Sequence, residues 1–400
     1  MVSLFLSHLE CARCGAEEDA HVLQNICAEC GGAFLVRYDL ESVGRALSPG
    51  DLENRDGEGL WRYRELLPVK PENYLTLGEG GTPILRLPAM GKEYGLPNLV
   101  VKDEGLNPTG SFKARGAAVG VARARELGAE SVALPTAGNA GGAWAAYAAR
   151  AGMDCHVFMP ADAPAMFKSE ALILGAHTYV IDGLISDAGR ELEKAARTRG
   201  WFVASTLKEP YRIEGKKTMG LEIAESLGWR WPSAIIYPTG GGVGLIAIWK
   251  AVKELEQLGW MASDQVPRMV AVQASGCRPV VEAYRQGLRD TEPYRGASTV
   301  AAGIRVPGGL GHHLVLDAIY ESGGTAVEVD DEEILQEMKV VASREGMWMC
   351  PEGAAAMAAT RKLVQEGYLK PEEQVMVLNT GTGVKYQELV SSEVAYWSDS

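Results

Sequence analysis

Residues Ala234-Ile235-Ile236-Tyr237-Pro238-Thr239-Gly240-Gly241-Gly242-Val243-Gly244 decide the fold. The run 234–237 is short, apolar and β-branched, which predicts a buried strand. Pro238 and the glycines end it, and the periodic segment 244–258 predicts a helix. Backbone N–H groups at such a helix start, with the positive end of the helix dipole behind them, form a cradle for a phosphate. Two familiar nucleotide sites are excluded. In the dinucleotide pattern GxGxxG the third glycine would fall on Leu245, and no P-loop exists because Gly105 and Gly110 are followed by Ser111 and Phe112.

The same alternation extends in both directions from this loop. Further strands are predicted at 99–102, 131–134, 155–159, 178–181, 201–204, 269–273, 326–329 and 375–378. Helices fit between them at 114–127, 140–150, 187–199, 218–227, 331–344 and 353–365. Strands that alternate with helices imply right-handed crossovers and a mainly parallel α/β architecture, and the length implies two such sheets with a site in the cleft between them. Four segments are expected: a ribbon at 1–38, a connecting arm with Trp61 and Tyr63 at 39–98, a smaller α/β domain at 99–205 and a larger one at 206–400.

Composition narrows the function. The chain has 400 residues, with 39 Lys and Arg against 52 Asp and Glu, a net charge of −13 that repels nucleic-acid phosphates and acidic membranes. A small-molecule partner is expected, with no nucleic acid and no membrane. No apolar run is long enough to span a bilayer, and no signal-peptide pattern opens the chain, so a soluble cytoplasmic protein is expected. Glycine is the outlier: 47 of 400 residues exceeds the usual share of about 7%.

Four of the seven cysteines form Cys11-Ala-Arg-Cys14-Gly15 and Cys27-Ala-Glu-Cys30-Gly31. Two CxxC turns bring four thiolates to one tetrahedral point, the pattern of a structural zinc ribbon with no open position for chemistry. The spacing between the pairs is slightly short for zinc, so a metal-free ribbon and a protein-binding ribbon remain open. The odd count argues against a secreted disulfide framework.

A second segment carries the reactive group. In Asn107-Pro108-Thr109-Gly110-Ser111-Phe112-Lys113-Ala114-Arg115-Gly116-Ala117, the Pro and Gly make a turn, Ser111 is suited to cap a helix, and Lys113 falls in the first helical turn. A cation there faces the unfavourable end of the dipole. That disfavours the ammonium form, as Schiff-base chemistry requires; a solvated surface lysine is the plain alternative.

With these segments the chain resembles the fold-type II pyridoxal-phosphate enzymes, of tryptophan synthase β-like architecture, and threonine synthases among them. The resemblance runs from the ribbon to Lys385. Its carriers are Leu77-Gly78-Glu79-Gly80-Gly81-Thr82-Pro83, the Asn107 to Lys113 segment, Thr136-Ala137-Gly138-Asn139, Glu209-Pro210-Tyr211-Arg212-Ile213-Glu214-Gly215-Lys216-Lys217-Thr218, the loop at Gly240, and Asn379-Thr380-Gly381-Thr382-Gly383-Val384-Lys385. The resemblance implies pyridoxal 5'-phosphate as cofactor, Lys113 as its Schiff-base residue and Phe112 against it. It further implies Asn139 at the phenolic oxygen, Gly240, Gly241, Gly242, Val243 and Gly244 at the phosphate, and Thr380 at the pyridine nitrogen. Thr136, Ala137, Gly138, Asn139 and Ala140 would hold the substrate carboxylate. Lys216 and Lys217, with Arg212 and Lys385, are candidates for a substrate phosphate. A homodimer acting on a small amino acid, by conversion of O-phospho-L-homoserine and water to threonine and phosphate, is what the likeness implies.

Three positions depart from the usual threonine-synthase pattern. Ala114 follows the lysine, Ala140 follows the asparagine, and Ala204-Ser205 stands where an Asn-Ser pair is common. The first gives the segment the look of serine and threonine dehydratases. A dehydratase, a β-replacement enzyme such as a cysteate synthase, and a non-catalytic binding protein of the same fold stay open. His312 and His313 at their glycine-rich turn are read as a helix start.

Overall fold

Runs of Val, Ile and Ala that are apolar on both faces form the central strands, as parallel strands covered by helices do. The computed structural model describes residues 5–55, 59–261 and 265–390. Its largest sheet has six strands in the order Thr325–Val329, Arg268–Ala274, Ala234–Pro238, Val375–Asn379, Leu99–Asp103 and Ile84–Arg86. All neighbours are parallel except the last pair, which is antiparallel. A second, parallel sheet has the order His177–Ile181, Asp154–Pro160, Ser131–Pro135 and Phe202–Val203. The chain begins with a small antiparallel sheet, in which Leu6–Cys11 lies between Glu17–Glu18 and Phe34–Tyr38. Among the described residues no helix is long and apolar enough to cross a membrane.

The α/β class and the ribbon agree with the sequence reading, and all nine expected strands are present. One helix is longer than expected: 218–227 is the end of Tyr211–Ser226. The helix is buried almost all round, so it has no polar stripe to mark its start. Its opening is fixed instead by Glu209, whose carboxylate accepts from the N–H groups of Tyr211 (2.8 Å) and Arg212 (3.1 Å).

Strand pairing places Leu99–Asp103 in the six-stranded sheet. Leu99–Asp103 is not part of the smaller sheet; it pairs with Val375–Asn379, from Leu99 opposite Val375 to Asp103 opposite Asn379. The strand is buried on both faces, so no side-chain period tells which sheet owns it. The chain leaves the large sheet after Asp103, turns through 104–112, and enters the helix Lys113–Glu126, whose alanines and valines pack with the smaller sheet. Lys113 thus stands where the chain passes from one sheet to the other.

That passage is fixed by close helix packing and by buried charge. Lys113–Glu126 crosses Tyr211–Ser226 at two glycines: a Cβ at Gly215 would collide with the Arg115 carbonyl, and one at Gly116 would lie 3.0 Å from Lys216 Cε. Beside the crossing, the fully buried Arg115 donates to Glu104 (2.6 and 2.9 Å) and Glu222 (2.6 and 2.7 Å), and to Thr218 Oγ1 (2.9 Å). Lys102 Nζ donates to Glu222 (2.8 Å), so two cations face two carboxylates and the cluster is neutral. Around it, Gly81 N–H donates to Glu222 (2.9 Å), Thr82 Oγ1 to Glu104 (2.6 Å), and Asn107 Nδ2 to Glu104 (2.8 Å). The glycine-rich motif at 77–83 is therefore a strap closed over buried charge. Removing one member leaves the others uncompensated, so Arg115→Met is expected to lower stability by about 3–5 kcal/mol, read from urea unfolding midpoints.

Candidate active site

Lys113 is placed by its neighbours in sequence and by the chain end. Phe112 N–H donates to the Thr380 carbonyl (3.1 Å), Thr382 N–H to the Gly110 carbonyl (2.9 Å), and Ser111 bridges Gly381. Gly110 has φ +59°, and a Cβ there would come within 2.7 Å of Thr382, so only glycine lets the two segments close. The lysine side chain opens into a cavity of about 380 Å³ between the two sheets. Lys113 Nζ lies 3.8 Å from the centre of the Phe112 ring, and Lys216 Nζ lies 4.8 Å from the same centre. Among the described residues neither amine has a carboxylate within ion-pair distance. Burial lowers Lys113 to about 8; Glu352 opposes the shift and Arg212 adds to it. Burial, followed by repulsion from Lys113 and Arg212, holds Lys216 well below the ordinary lysine range.

The glycine loop forms another wall. Gly240, Gly241, Gly242, Val243 and Gly244 all line the cavity, at the start of Val243–Gln257. The first N–H groups of a helix have no partner inside it, so they are available to an anion. Side chains are excluded here by packing: a Cβ at Gly240 would lie 2.6 Å from the Gly303 carbonyl, and at Gly242 and Gly244 it would strike Val315 and Tyr237. His312, the first residue of the helix His312–Glu321, is within 3.0 Å of the Gly240 carbonyl through Nε2, while its Nδ1 accepts from Gly309 N–H (3.3 Å). The ring therefore donates to the loop and anchors it. Opposite, the turn Thr136 to Asn139 opens the helix Ala140–Ala151, and Gly138 N–H donates to Thr136 Oγ1 (3.1 Å). Thr136, Ala137, Gly138, Asn139, Ala140 and Thr380 line the cavity with Phe112 and Arg212.

Two cations expected near the ligand are elsewhere. Lys217, next to Lys216 on a helix, points about 100° away from it; it is buried against Glu214 (2.6 Å), Glu254 (2.8 Å) and the Tyr38 ring. Lys385 is bound to Glu170 (2.6 Å) and does not line the cavity. The three alanine departures separate as well. Ala114 is buried in the core, and Ala204 is buried with its carbonyl accepting from Arg212. Only Ala140 faces the cavity.

Other lining groups left no mark in the sequence. Glu352 accepts from Gly303 N–H (2.6 Å) and from the Tyr386 hydroxyl (3.3 Å), and both side chains face the cavity. Glu352 lies just before the expected helix 353–365 and belongs to no motif. Tyr386 had only its position after Lys385 to commend it.

The four cysteines of the ribbon converge as the spacing predicts. Their sulfurs lie within 4.8 Å of one another, with Cys11 and Cys30 at 3.4 Å and Cys14 and Cys27 at 3.7 Å. Four thiolates at zinc–sulfur length define a tetrahedron with edges of about 3.8 Å, so the set fits zinc. Gly15 and Gly31 have φ of +74° and +71°, which explains the glycine after each pair.

The comparisons match this arrangement. Residues 75–381 fit the family model described as pyridoxal-phosphate dependent enzyme. The chain belongs to that family. It is 40% identical over 377 residues to a threonine synthase of Methanocaldococcus jannaschii, covering 94% of this chain and 92% of the relative. It is 38% identical to one of Methanosarcina acetivorans, over 96% and 93%. Maize serine racemase shares the fold, with a TM-score of 0.65 at 23% identity over 77% of this chain and 91% of that one. Pyridoxal phosphate is thus the cofactor of this enzyme, and the cavity suits it: a low-pKa lysine at one end, and a side-chain-free loop at a helix start for a phosphate.

Two measurements follow from the site. In cofactor-free protein, borohydride-fixed aldehyde labelling of Lys113, followed by peptide mass spectrometry, is expected to rise with a midpoint near pH 8 instead of the ordinary 10.5, since burial favours the neutral amine. Elemental analysis is expected to find one zinc per chain, lost on replacing Cys11 and Cys14 by Ser.

Proposed function

We propose that this enzyme is a threonine synthase, converting O-phospho-L-homoserine and water to L-threonine and phosphate. The observation that carries the reading is the half-buried Lys113 amine of lowered pKa, opening with Arg212, Lys216 and the glycine loop on one cavity, in a chain 40% identical to a threonine synthase. Bound pyridoxal phosphate supplies an electron sink for negative charge developing on the substrate. In this reading Lys113 holds the cofactor through its Nζ. The Gly240 to Gly244 loop would donate to the cofactor phosphate, Asn139 Nδ2 to the phenolic oxygen, and Phe112 would lie against the ring. Thr380 offers the pyridine nitrogen a neutral hydroxyl, which suits elimination and replacement at Cβ and Cγ better than transamination.

The remaining groups act on the substrate. The Thr136 to Ala140 turn binds its carboxylate through the Thr136 hydroxyl and the N–H groups at the helix start. Arg212 and Lys216 receive its phosphate. Arg212 is already steadied by Glu209 and lies over the Trp144 ring at 5.1 Å, so the guanidinium is held before the ligand arrives. The neutral Lys113 amine would take the proton from Cα and then one from Cβ. Phosphate would leave Cγ, the two protons would return at Cγ and Cα, and water would add its hydroxyl at Cβ, its own proton going to the departing phosphate. A cytoplasmic homodimer, without nucleic-acid or membrane partners, completes the reading; the net charge of −13 and the family likeness support it.

Turnover of the purified protein is the test. Phosphate release from O-phospho-L-homoserine with matching threonine is expected, and Lys113→Ala is expected to lower it by about a thousandfold or more. Keto acid from threonine or serine, without phosphate release from phosphohomoserine, would instead assign a dehydratase. Turnover of O-phosphoserine with sulfite would assign a β-replacement enzyme.

A further inference from the structure

Lys385 occupies a junction that the proposed chemistry does not use. An ammonium has three N–H donors and no acceptor. Its partners are the Glu170 carboxylate at 2.6 and 2.8 Å, the Thr109 carbonyl at 2.6 Å and Asn139 Oδ1 at 3.1 Å. The three partners come from different elements. Glu170 is on the helix Ala165–Ile173, Thr109 is in the turn before Lys113, and Asn139 opens Ala140–Ala151. Glu170 reaches this point across Gly142, where a Cβ would collide with its carboxylate. The ion pair is almost fully buried, so neither charge is satisfied by water.

A free asparagine presents either end of its amide, because the carbonyl and the NH2 group have nearly the same shape. Lys385 removes that freedom. A flipped Asn139 would set its NH2 against a group that can only donate. With Oδ1 held, Nδ2 is the end directed to the cavity wall, 3.3 Å from the Tyr386 hydroxyl. We infer that the Glu170–Lys385 pair is an orientation lock on Asn139, which keeps the amide NH2 turned toward the phenolic oxygen of the cofactor. Lys385 is on this account a positioning residue. Glu170 neutralises the buried ammonium and holds it over the asparagine. The inference rests on the assignment of Asn139 to the phenolic oxygen; a negatively charged oxygen attracts the NH2 end and repels the carbonyl end.

The test compares holoenzymes of the wild type, Asn139→Ala, Lys385→Met, Lys385→Arg and Glu170→Gln. Their readouts are the visible absorption band of the bound cofactor, its dissociation constant and the urea unfolding midpoint. Asn139→Ala and Lys385→Met are expected to displace the band in the same direction and to weaken cofactor binding about tenfold, the scale of one hydrogen bond to a charged group. Lys385→Arg is expected to restore the band. Glu170→Gln keeps the falsifying arm available if Lys385→Met does not fold; it is expected to displace the band by a smaller amount. A band moved by Asn139→Ala but unmoved by Lys385→Met or Glu170→Gln would overturn the lock and leave the asparagine assignment standing. A band unmoved by Asn139→Ala would overturn both.

Discussion

The charge cluster of Arg115, Glu104, Glu222 and Lys102 is the constraint on which the site depends. It ties the end of a large-sheet strand, the turn before Lys113, the first turn of the Lys113 helix and the C-terminal part of the helix that bears Arg212 and Lys216. Buried ion pairs of this kind add little net stability compared with a well-packed apolar core. What they impose is geometry, because a bidentate guanidinium donates to its carboxylates in few arrangements. Arg115 is two residues from Lys113, so a change in the cluster moves the reactive amine directly. The glycine-rich strap at 77–83 caps the same charges with backbone N–H and hydroxyl donors, and Glu79 within it accepts from the buried Tyr147 hydroxyl.

A chain of net charge −13 nevertheless builds a cavity for anions. It does so with local sources. Three helices, starting at Lys113, Ala140 and Val243, begin at the cavity wall. Arg212 adds a fixed positive charge, and Lys113 and Lys216 add amines that take up a proton more readily once an anion is bound, from two helices that cross at Gly116 and Gly215. Because these sources are set in the protein wall, they act at short range with less screening, while the acidic exterior acts through water and salt. The same loss of solvent makes these lysines costly to protonate, which is why both amines fall below their ordinary range.

Much of this was readable in the residues themselves, for identifiable reasons. Strands such as Ala234–Pro238 and Val375–Asn379 are short β-branched runs ended by Pro, Asn or Gly, and their glycines mark places where backbone must come close to something else. The ribbon was readable because metal ligation fixes cysteine spacing. What the residues concealed was partnership over distance. Leu99–Asp103 carries no sign that its neighbour is Val375–Asn379. Lys216 and Lys217 are chemically alike, and only helical phase sends one into the cavity and the other to Glu214 and Glu254. Glu352 and Tyr386 meet at the site because two distant segments converge there, and neither belongs to a pattern that spacing could reveal.

The position of Val375–Asn379 in the middle of the large sheet bears on how the protein is made. The strand between Ala234–Pro238 and Leu99–Asp103 is synthesised after both of these neighbours, and Thr380, which follows it, closes onto Phe112. Until it emerges from the ribosome, the two earlier strands have an unfilled gap between them and the Lys113 turn has nothing to zip against. Pairing across some 270 residues carries a large loop-closure cost and slows folding. The cofactor cavity is therefore finished only once residue 380 has been made, and a nascent chain holding the lysine, the glycine loop and both crossing helices would still lack a finished place to bind pyridoxal phosphate.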